Sequence, residues 1–463
     1  MADSPISKPL RINNVEFKNR ILRSSVGGRT ANYDGTVTDV WKNFEKRFAD
    51  GGIGGIISTT FHVNENRVSP LQYPSIAHQR FVPYLKKYIA EIKGTEPSCK
   101  YILQIGDPGY TTYTHLFPDA RDAKSSSSGF DLAFGYNNTR TEMTHDEIEG
   151  EIKNFASAAE RVRASGADGL EITASKGYII HQFLNPGFNR RDDNWGGSAD
   201  RRFHFLERVV TTVRERIGPD FLFGVRLSDG DYNFSPLQFA IGRLPSMFLS
   251  RERWMGNDMT QMIEYAKRLQ KLNVDYLHIV SGFGFPNPRN TPGTFPFDEI
   301  KIFFNSTRHL SSKAAVRSTL VNLLPTGFAR WVSNLGWIHP DEMWENGVKT
   351  TLNLGSARTF RKEVGLPVIV NGGFQERDLI ERALAPSGEQ PACDMVSMAR
   401  ALLANPDLLS HFRAGKNKPD KCCSFCNKCV GRTATSPLGC YDQRRFLSSG
   451  EMLREIMAWN RPD

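Results

Sequence analysis

The sequence predicts an α/β fold, a (β/α)8 TIM barrel, and three observations carry that expectation. Eight short β-branched or apolar runs recur along the chain, and amphipathic stretches separate them. The alternation meets no obvious second domain, which favours a closed barrel over an open doubly wound sheet.

In chain order, the first three runs are Arg20 to Ser24, Gly54 to Thr59 and Tyr101 to Ile105. Ser125 to Ser128 then reads as a short flexible loop. A helix is expected over Thr144 to Ala164, because Thr144 and Glu147 have capping-box spacing, apolar residues recur at helical intervals, and Gly166 follows. Gly169 to Ala174 and Phe221 to Ser228 are the fourth and fifth runs, and Tyr276 to Gly282 is the sixth. Two stretches exceed a minimal barrel and read as insertions, 231–257 and 283–366. The second opens with Pro286, Pro288, Pro292 and Pro296 and turns helical around Ser312 to Leu324. A lid over the barrel mouth and a structural subdomain both suit it. Pro367 to Gly372 contains the apolar run Pro367-Val-Ile-Val370, as expected of a parallel strand buried on both faces. Met395 to Arg400 is the eighth run. The expected organisation is a barrel over 1–415 and a cysteine-rich tail over 416–463, where Met452 to Met457 reads as a packing helix.

The chain has 463 residues, 39% hydrophobic and 24% charged, which permits a large core and argues against disorder. The start lacks the basic and apolar stretches of a secretory signal, and no apolar run approaches the roughly 18 residues of a membrane helix. A soluble, cytoplasmic protein is expected, with no membrane partner. The net charge of +9 is spread without blocks, so nucleic acid is not an expected partner. A solvated basic surface accounts for the excess, and attraction of a phosphate-bearing cofactor such as NADPH is the alternative. A homo-oligomer is left open.

In an α/β barrel the functional residues stand where strands run into the following loops, and phosphate sits beyond strands seven and eight. Here the seventh run ends in Asn371-Gly372-Gly373, whose backbone can approach a phosphate, and the eighth ends in Arg400, a bidentate phosphate partner. Alone, the Gly pair is an ordinary tight turn and the arginine an ion pair; together they suggest a phosphate cradle. Gln104, Thr173, Lys176 and Arg226 point to the same mouth, where polar side chains are costly without a partner. A flavin needs an amide at its pyrimidine edge and a cation near N1, roles open to Gln104 and Arg226.

The stretch Glu171-Ile-Thr-Ala-Ser-Lys-Gly-Tyr-Ile-Ile-His-Gln-Phe-Leu-Asn-Pro186, with Asn189-Arg-Arg-Asp-Asp-Asn-Trp-Gly-Gly-Ser198, closely resembles the signature of the Old Yellow Enzyme family of NAD(P)H:flavin oxidoreductases. Asn19-Arg-Ile, Leu103-Gln-Ile-Gly-Asp-Pro-Gly109, Arg226, Asn371-Gly-Gly373 and Asp394-Met-Val-Ser-Met-Ala-Arg400 extend the match over about residues 8 to 415. The resemblance implies FMN at the barrel mouth, reduction by NADH or NADPH, and hydride delivery to an electron-poor alkene. Carried over, Ser25, Gly27, Gln104 and Arg226 adjoin the flavin ring, and Gly372, Gly373 and Arg400 its phosphate. Tyr178 matches the family's proton donor, and a phenol of ordinary pKa near 10 is protonated at neutral pH. The family's two carbonyl-binding donors fall here on Thr173 and Lys176. A Lys176 ammonium can polarise a carbonyl or recognise a carboxylate or phosphate. Gly27 replaces a flavin-tuning Thr or Cys, and Asp107 and Tyr110 replace a His and an Arg.

Five of seven cysteines crowd the tail: Cys422, Cys423, Cys426, Cys429 and Cys440. Four thiolates can hold a [4Fe–4S] cluster or a zinc. Cys423, Cys426 and Cys429, with Cys440, resemble the cluster motif of the trimethylamine dehydrogenase and 2,4-dienoyl-CoA reductase branch. The last gap is short, Cys422 offers a competing register, and only 23 residues follow Cys440. Cluster, zinc and unligated thiols all stay open.

The leading expectation is an FMN-dependent, NAD(P)H-driven reductase of an activated alkene or related conjugated small molecule. A flavin dehydrogenase passing substrate electrons through a [4Fe–4S] cluster to a partner is the second. A non-catalytic flavin- or metabolite-binding barrel is the third, motivated by Thr173 and Lys176.

Overall fold

The computed structural model describes residues 3–67, 71–110, 123–130, 139–233, 256–284, 287–309, 312–345, 347–385 and 390–459. Eight parallel strands close into a barrel. In chain order they are β1 (Ile21–Arg23), β2 (Gly55–His62), β3 (Lys100–Gly106), β4 (Gly169–Ala174), β5 (Leu222–Ser228), β6 (Tyr276–Val280), β7 (Val368–Val370) and β8 (Met395–Met398). Each pairs with its sequence neighbours and β8 closes on β1. All eight expected runs are strands. Every residue of β4, β5 and β6 is buried, as in a parallel barrel covered on both faces, and the polar residues among them, Glu171, Thr173, Arg226, Ser228 and His278, are buried with the rest.

The barrel interior is packed by Leu22, Ile57, Ile102, Leu222, Tyr276, Ile369 and Met395. An N-terminal hairpin, Leu10–Ile12 and Val15–Phe17, closes the amino end of the barrel: Ile12, Val15 and Phe17 join that cluster, and Asn13 and Asn14 bond the carbonyls of Pro219 and Asp220 just ahead of β5. The mouth at the carboxyl ends is left for a site.

Between β3 and β4 the helix His145–Ala164 begins as expected. The Thr144 side chain accepts from Glu147 N, and Glu147 accepts from Thr144 N at 2.7 Å, so two orphan donors are satisfied reciprocally. The Ser125 to Ser128 expectation is corrected. Lys124–Ser125 is a strand of a three-stranded sheet, and Ser125, Ser126 and Ser127 are buried. Ser126 Oγ donates to Gln182 O at 2.8 Å, and Ser127 Oγ accepts from Arg190 N at 2.8 Å. These small hydroxyls satisfy backbone groups of the segments that follow β4, which composition does not reveal.

Of the insertion expected at 231–257, residues 234–255 lie outside the described residues, as does Pro286. The insertion between β6 and β7 contains the helices Phe297–Ser306, Ser312–Leu323 and Thr326–Asn334 and a two-stranded hairpin. It ends earlier than residue 366. The helix Leu354–Glu363 sends Ala357 and Phe360 into the main core beside β7, as a barrel helix must. In the tail, Ser449–Trp459 is a packing helix with Met452, Ile456 and Trp459 buried. Trp459 meets Phe44 at 5.0 Å and lies under Arg47, so the tail packs into the barrel's helical shell. Among the described residues no helix is long and apolar enough to cross a membrane.

Candidate active site

A cavity of about 670 Å3 lies at the carboxyl ends of the strands. Ser25 and Gly27 border it beyond β1, Gln104 from β3, Thr173 from β4, and Lys176 and Tyr178 from the turn after β4. Arg226 in β5, Gly372 and Gly373 after β7, and Arg400 after β8 complete the wall. All ten residues expected from sequence therefore meet one space, although the chain separates them by hundreds of positions.

The floor is a buried network that the sequence reading did not single out. Glu171 Oε1 accepts from Gln104 Nε2 at 2.6 Å, while Oε2 accepts from Tyr276 OH at 3.1 Å and lies 3.0 Å from His278 Nδ1. His278 Nε2 lies 2.8 Å from Ser397 Oγ. Burial lowers the His278 pKa from its ordinary value, so the neutral ring donates from Nδ1 and accepts at Nε2. Burial alone would raise Glu171, but His278, Arg226 and Gln104 outweigh it and hold the carboxyl below its ordinary value. Gln104 Oε1 accepts from Thr60 Oγ1. The amide is thus locked, with one Nε2 hydrogen left for a ligand.

The turn after β4 is fixed as tightly. Lys176 and Gly177 adopt positive φ, 61° and 79°, which reverses the chain within two residues. His181 Nδ1 accepts from Gly177 N at 3.2 Å, and Nε2 lies 2.7 Å from Asp231 Oδ1. Lys176 Nζ donates to Ser281 O at 3.4 Å, to Asn290 O at 3.1 Å and to Asn290 Oδ1. Burial and the neighbouring Arg226 and Arg400 push its pKa well below the usual lysine value, against a smaller opposing pull from Asp229. Tyr178 is within hydrogen-bonding reach of Thr60 and Tyr73, and burial raises its pKa, so it keeps its proton. Thr173 Oγ1 lies 3.4 Å from Ser175 Oγ. Asp107 sits outside this wall in a buried cluster, where Arg67 Nε contacts it at 2.6 Å and Arg67 Nη2 contacts Glu151 at 2.5 Å.

At position 27 the missing side chain is replaced from another strand. A Cβ there would lie 1.8 Å from Thr59 Oγ1 and 2.8 Å from Tyr73. Thr59 is aimed there by a register shift in β2 between Ile57 and Thr60, and its hydroxyl is buried without a hydrogen-bond partner. Thr59 Oγ1 therefore fills the space that a side chain at position 27 would occupy. Gly372 and Gly373 sit at φ 125° and 99°, backbone that L side chains rarely adopt.

These residues fit FMN on two observations. Arg226 Nε is buried with no hydrogen-bond partner, a costly state that an acceptor on a ligand would relieve. Gly372 and Gly373 leave bare backbone at the mouth, beyond strands seven and eight, beside Arg400. Arg400 is also structural: Nη1 donates to Pro292 O at 2.5 Å and to Asn427 Oδ1, and the guanidinium lies 5.1 Å from the Phe425 ring centre.

The tail cysteines converge next door. Cys423, Cys426, Cys429 and Cys440 border one small void with Arg400 and Asn427, and Cys422 does not, which selects the Cys423 register. Cys429 also borders the main cavity. All seven cysteines are free thiols. Burial pushes Cys423 up to about 12 and raises Cys429 and Cys440, so these groups are protonated as they stand. The void measures about 10 Å3, room for a single water, and among the described residues no three His, Cys, Asp or Glu are arranged to hold a metal ion. The four thiols form a packed cluster around this void.

Residues 5–241 match the NADH:flavin oxidoreductase / NADH oxidase family. An NADPH dehydrogenase of Listeria monocytogenes is 30% identical over 264 residues, 56% of this chain and 72% of the relative. A multifunctional alkene reductase/demethylase of Caballeronia cordobensis is 24% identical over 448 residues, 94% of this chain and 54% of the relative. The solved 2-naphthoyl-CoA reductase complex shares the fold with a TM-score of 0.73 at 20% identity, over 94% of this chain and 56% of that one. The chain spans about half the length of the first curated relatives it matches, 51% and 52% for two of them. With more than half of its residues matched by the family model, and its ten expected site residues on one cavity, this chain belongs to the NADH:flavin oxidoreductase / NADH oxidase family.

Proposed function

We propose that the protein is an FMN-dependent oxidoreductase that takes electrons from NADH or NADPH and reduces an activated alkene or a related conjugated small molecule. The observation that supports this best is the single cavity bordered by Gln104, Arg226, Gly372, Gly373 and Arg400 around a buried, unpartnered Arg226 Nε. FMN, when bound, supplies the hydride chemistry. Gln104, locked by Glu171 and Thr60, would orient the ring, and Arg226 would stabilise negative charge on it. The Gly372-Gly373 backbone and Arg400 would hold the phosphate. Thr173 and Lys176 would face the acceptor carbonyl, and Tyr178 would hold a proton at its hydroxyl for the carbon beside that carbonyl. Aromatic side chains of the insertion, Phe295 and Phe304 among them, border the same space and would exclude water.

The seven free thiols suit a reducing compartment, so we place the enzyme in the cytoplasm. Anaerobic mixing of the FMN-loaded protein with NADPH or NADH should bleach the flavin, and an activated alkene should restore its colour. Flavin that no nicotinamide donor bleaches would favour the non-catalytic reading. A flavin dehydrogenase that hands electrons to a partner is the second reading, favoured by Cys429, which borders both the cavity and the thiol void. Stoichiometric iron with no NAD(P)H consumption would support it.

A further inference from the structure

We propose that the outer part of the cavity, built by the insertion between β6 and β7, binds the anionic end of a planar, apolar substrate. Among the described residues bordering the cavity, Lys176, Arg226, Arg289, Lys301, Arg317 and Arg400 are charged, and none is Asp or Glu. The proposal deepens the flavin reading and rests on it, because that reading assigns Arg226 and Arg400 to the cofactor. Lys176 is held by Ser281 and Asn290. The other three, Arg289, Lys301 and Arg317, all belong to the insertion; Arg317 is held in part by Thr307, 3.5 Å from its Nη2, so Lys301 and Arg289 carry the proposal.

The helix Phe297–Ser306 decides which charges face inward. Its two acids are directed at other partners: Asp298 pairs with Arg330 at 2.9 Å, and buried Glu299 lies 3.7 Å from Arg432. Lys301 makes no ion pair among the described residues and borders the cavity. Phe297, Phe303 and Phe304 border it from the same helix, and Arg317 lies 4.2 Å over the Phe304 ring. Arg317 over the Phe304 wall, with Lys301 and Arg289 on the same border and no carboxylate among the bordering residues, focuses a positive potential on a space whose body is apolar. A carboxylate or phosphate joined to a flat conjugated frame matches both features. A cationic amine substrate matches neither.

Equilibrium dialysis of the FMN-loaded protein against 2-naphthoate and its neutral counterpart 2-naphthamide tests this without turnover. The acid should bind about tenfold more tightly than the amide, the worth of one charge-assisted contact. Lys301→Met, or Arg289→Met where the first variant misfolds, should reduce that preference while FMN content is unchanged. Equal binding of the two probes, or equal weakening of both by Lys301→Met, would overturn the proposal. So would Lys301→Met weakening NADPH but not NADH while 2-naphthoate binding is unaffected, since the anion would then be the reductant's own phosphate. A chain that retains no FMN would count against the flavin reading alone, because dialysis still reports on the two naphthyl probes.

Discussion

Glu171 of β4 reaches across to β3 and accepts a 2.6 Å hydrogen bond from Gln104 Nε2, beneath the cavity. That contact, with Thr60 on the amide oxygen, fixes which face of Gln104 a ligand meets. Glu171→Gln keeps the shape but places an amide where three donors converge. The expected loss is about 1–3 kcal/mol of stability, together with weaker FMN binding. Urea unfolding and a flavin titration read the two effects; an unchanged variant would remove Glu171 from the account.

The same network gives a pH dependence. Burial holds His278 below its ordinary 6.5, so the unfolded chain takes up a proton there that the folded chain does not. Stability therefore falls as pH drops below about 6.5. Glu171, held below its ordinary 4.5, adds a second loss as pH falls below about 4.5 towards its folded value. Melting temperature against pH should show both limbs, and His278→Asn should flatten the first.

Tyr178 keeps its proton because burial raises its pKa. Tyr178→Phe should slow the alkene half-reaction by about 10²–10⁴-fold, the usual worth of a positioned acid, and leave flavin reduction by NADPH intact. Stopped-flow measurement of the two half-reactions separates them. Equal losses in both would contradict the proton-donor role.

Lys176 titrates in a field set by burial, Arg226, Arg400 and Asp229, and its pKa is lowered. As pH rises through that lowered value the ammonium loses its charge, so the KM for a carbonyl-bearing acceptor should rise. Lys176→Met should abolish this dependence. A variant with the wild-type pH profile would show that another group is responsible.

Position 27 has no room for a side chain. Gly27→Ala places a Cβ 1.8 Å from Thr59 Oγ1, and the expected cost is about 1–3 kcal/mol, as for other overpacked sites. Pairing it with Thr59→Ala should recover part of the loss in the same unfolding assay. Additive losses in the double variant would show that Thr59 does not fill this space.

Arg400→Ala should loosen FMN and also expose the thiol cluster, because Arg400 contacts Asn427 and Phe425 in the cysteine segment. Faster labelling of Cys429 by a thiol reagent, with no such change in Arg226→Ala, is the expected pattern. Equal labelling in both variants would make the Arg400 contacts incidental.

The barrel was legible because parallel strands buried on both faces are short and rich in apolar residues, as Pro367-Val-Ile-Val370 is, and because eight such runs alternate with amphipathic stretches. The cavity wall was legible because its residues stand at strand ends and within one long motif. The Glu171–His278–Ser397 chain was not, since its members come from β4, β6 and β8 and only barrel closure joins them. Neither was Thr59, whose direction depends on a register shift that leaves no compositional mark. The thiol register likewise came from packing: spacing allowed Cys422 or Cys423, and only Cys423 faces the void.

The central claim is that Gln104, Arg226, Gly372, Gly373 and Arg400 surround one flavin, and fluorescence titration of the flavin-free chain with FMN measures it most directly. One FMN bound per chain, with the yellow spectrum of a protein-held flavin and weaker binding in Arg226→Ala, is the predicted result. A chain that stays colourless after reconstitution would contradict it.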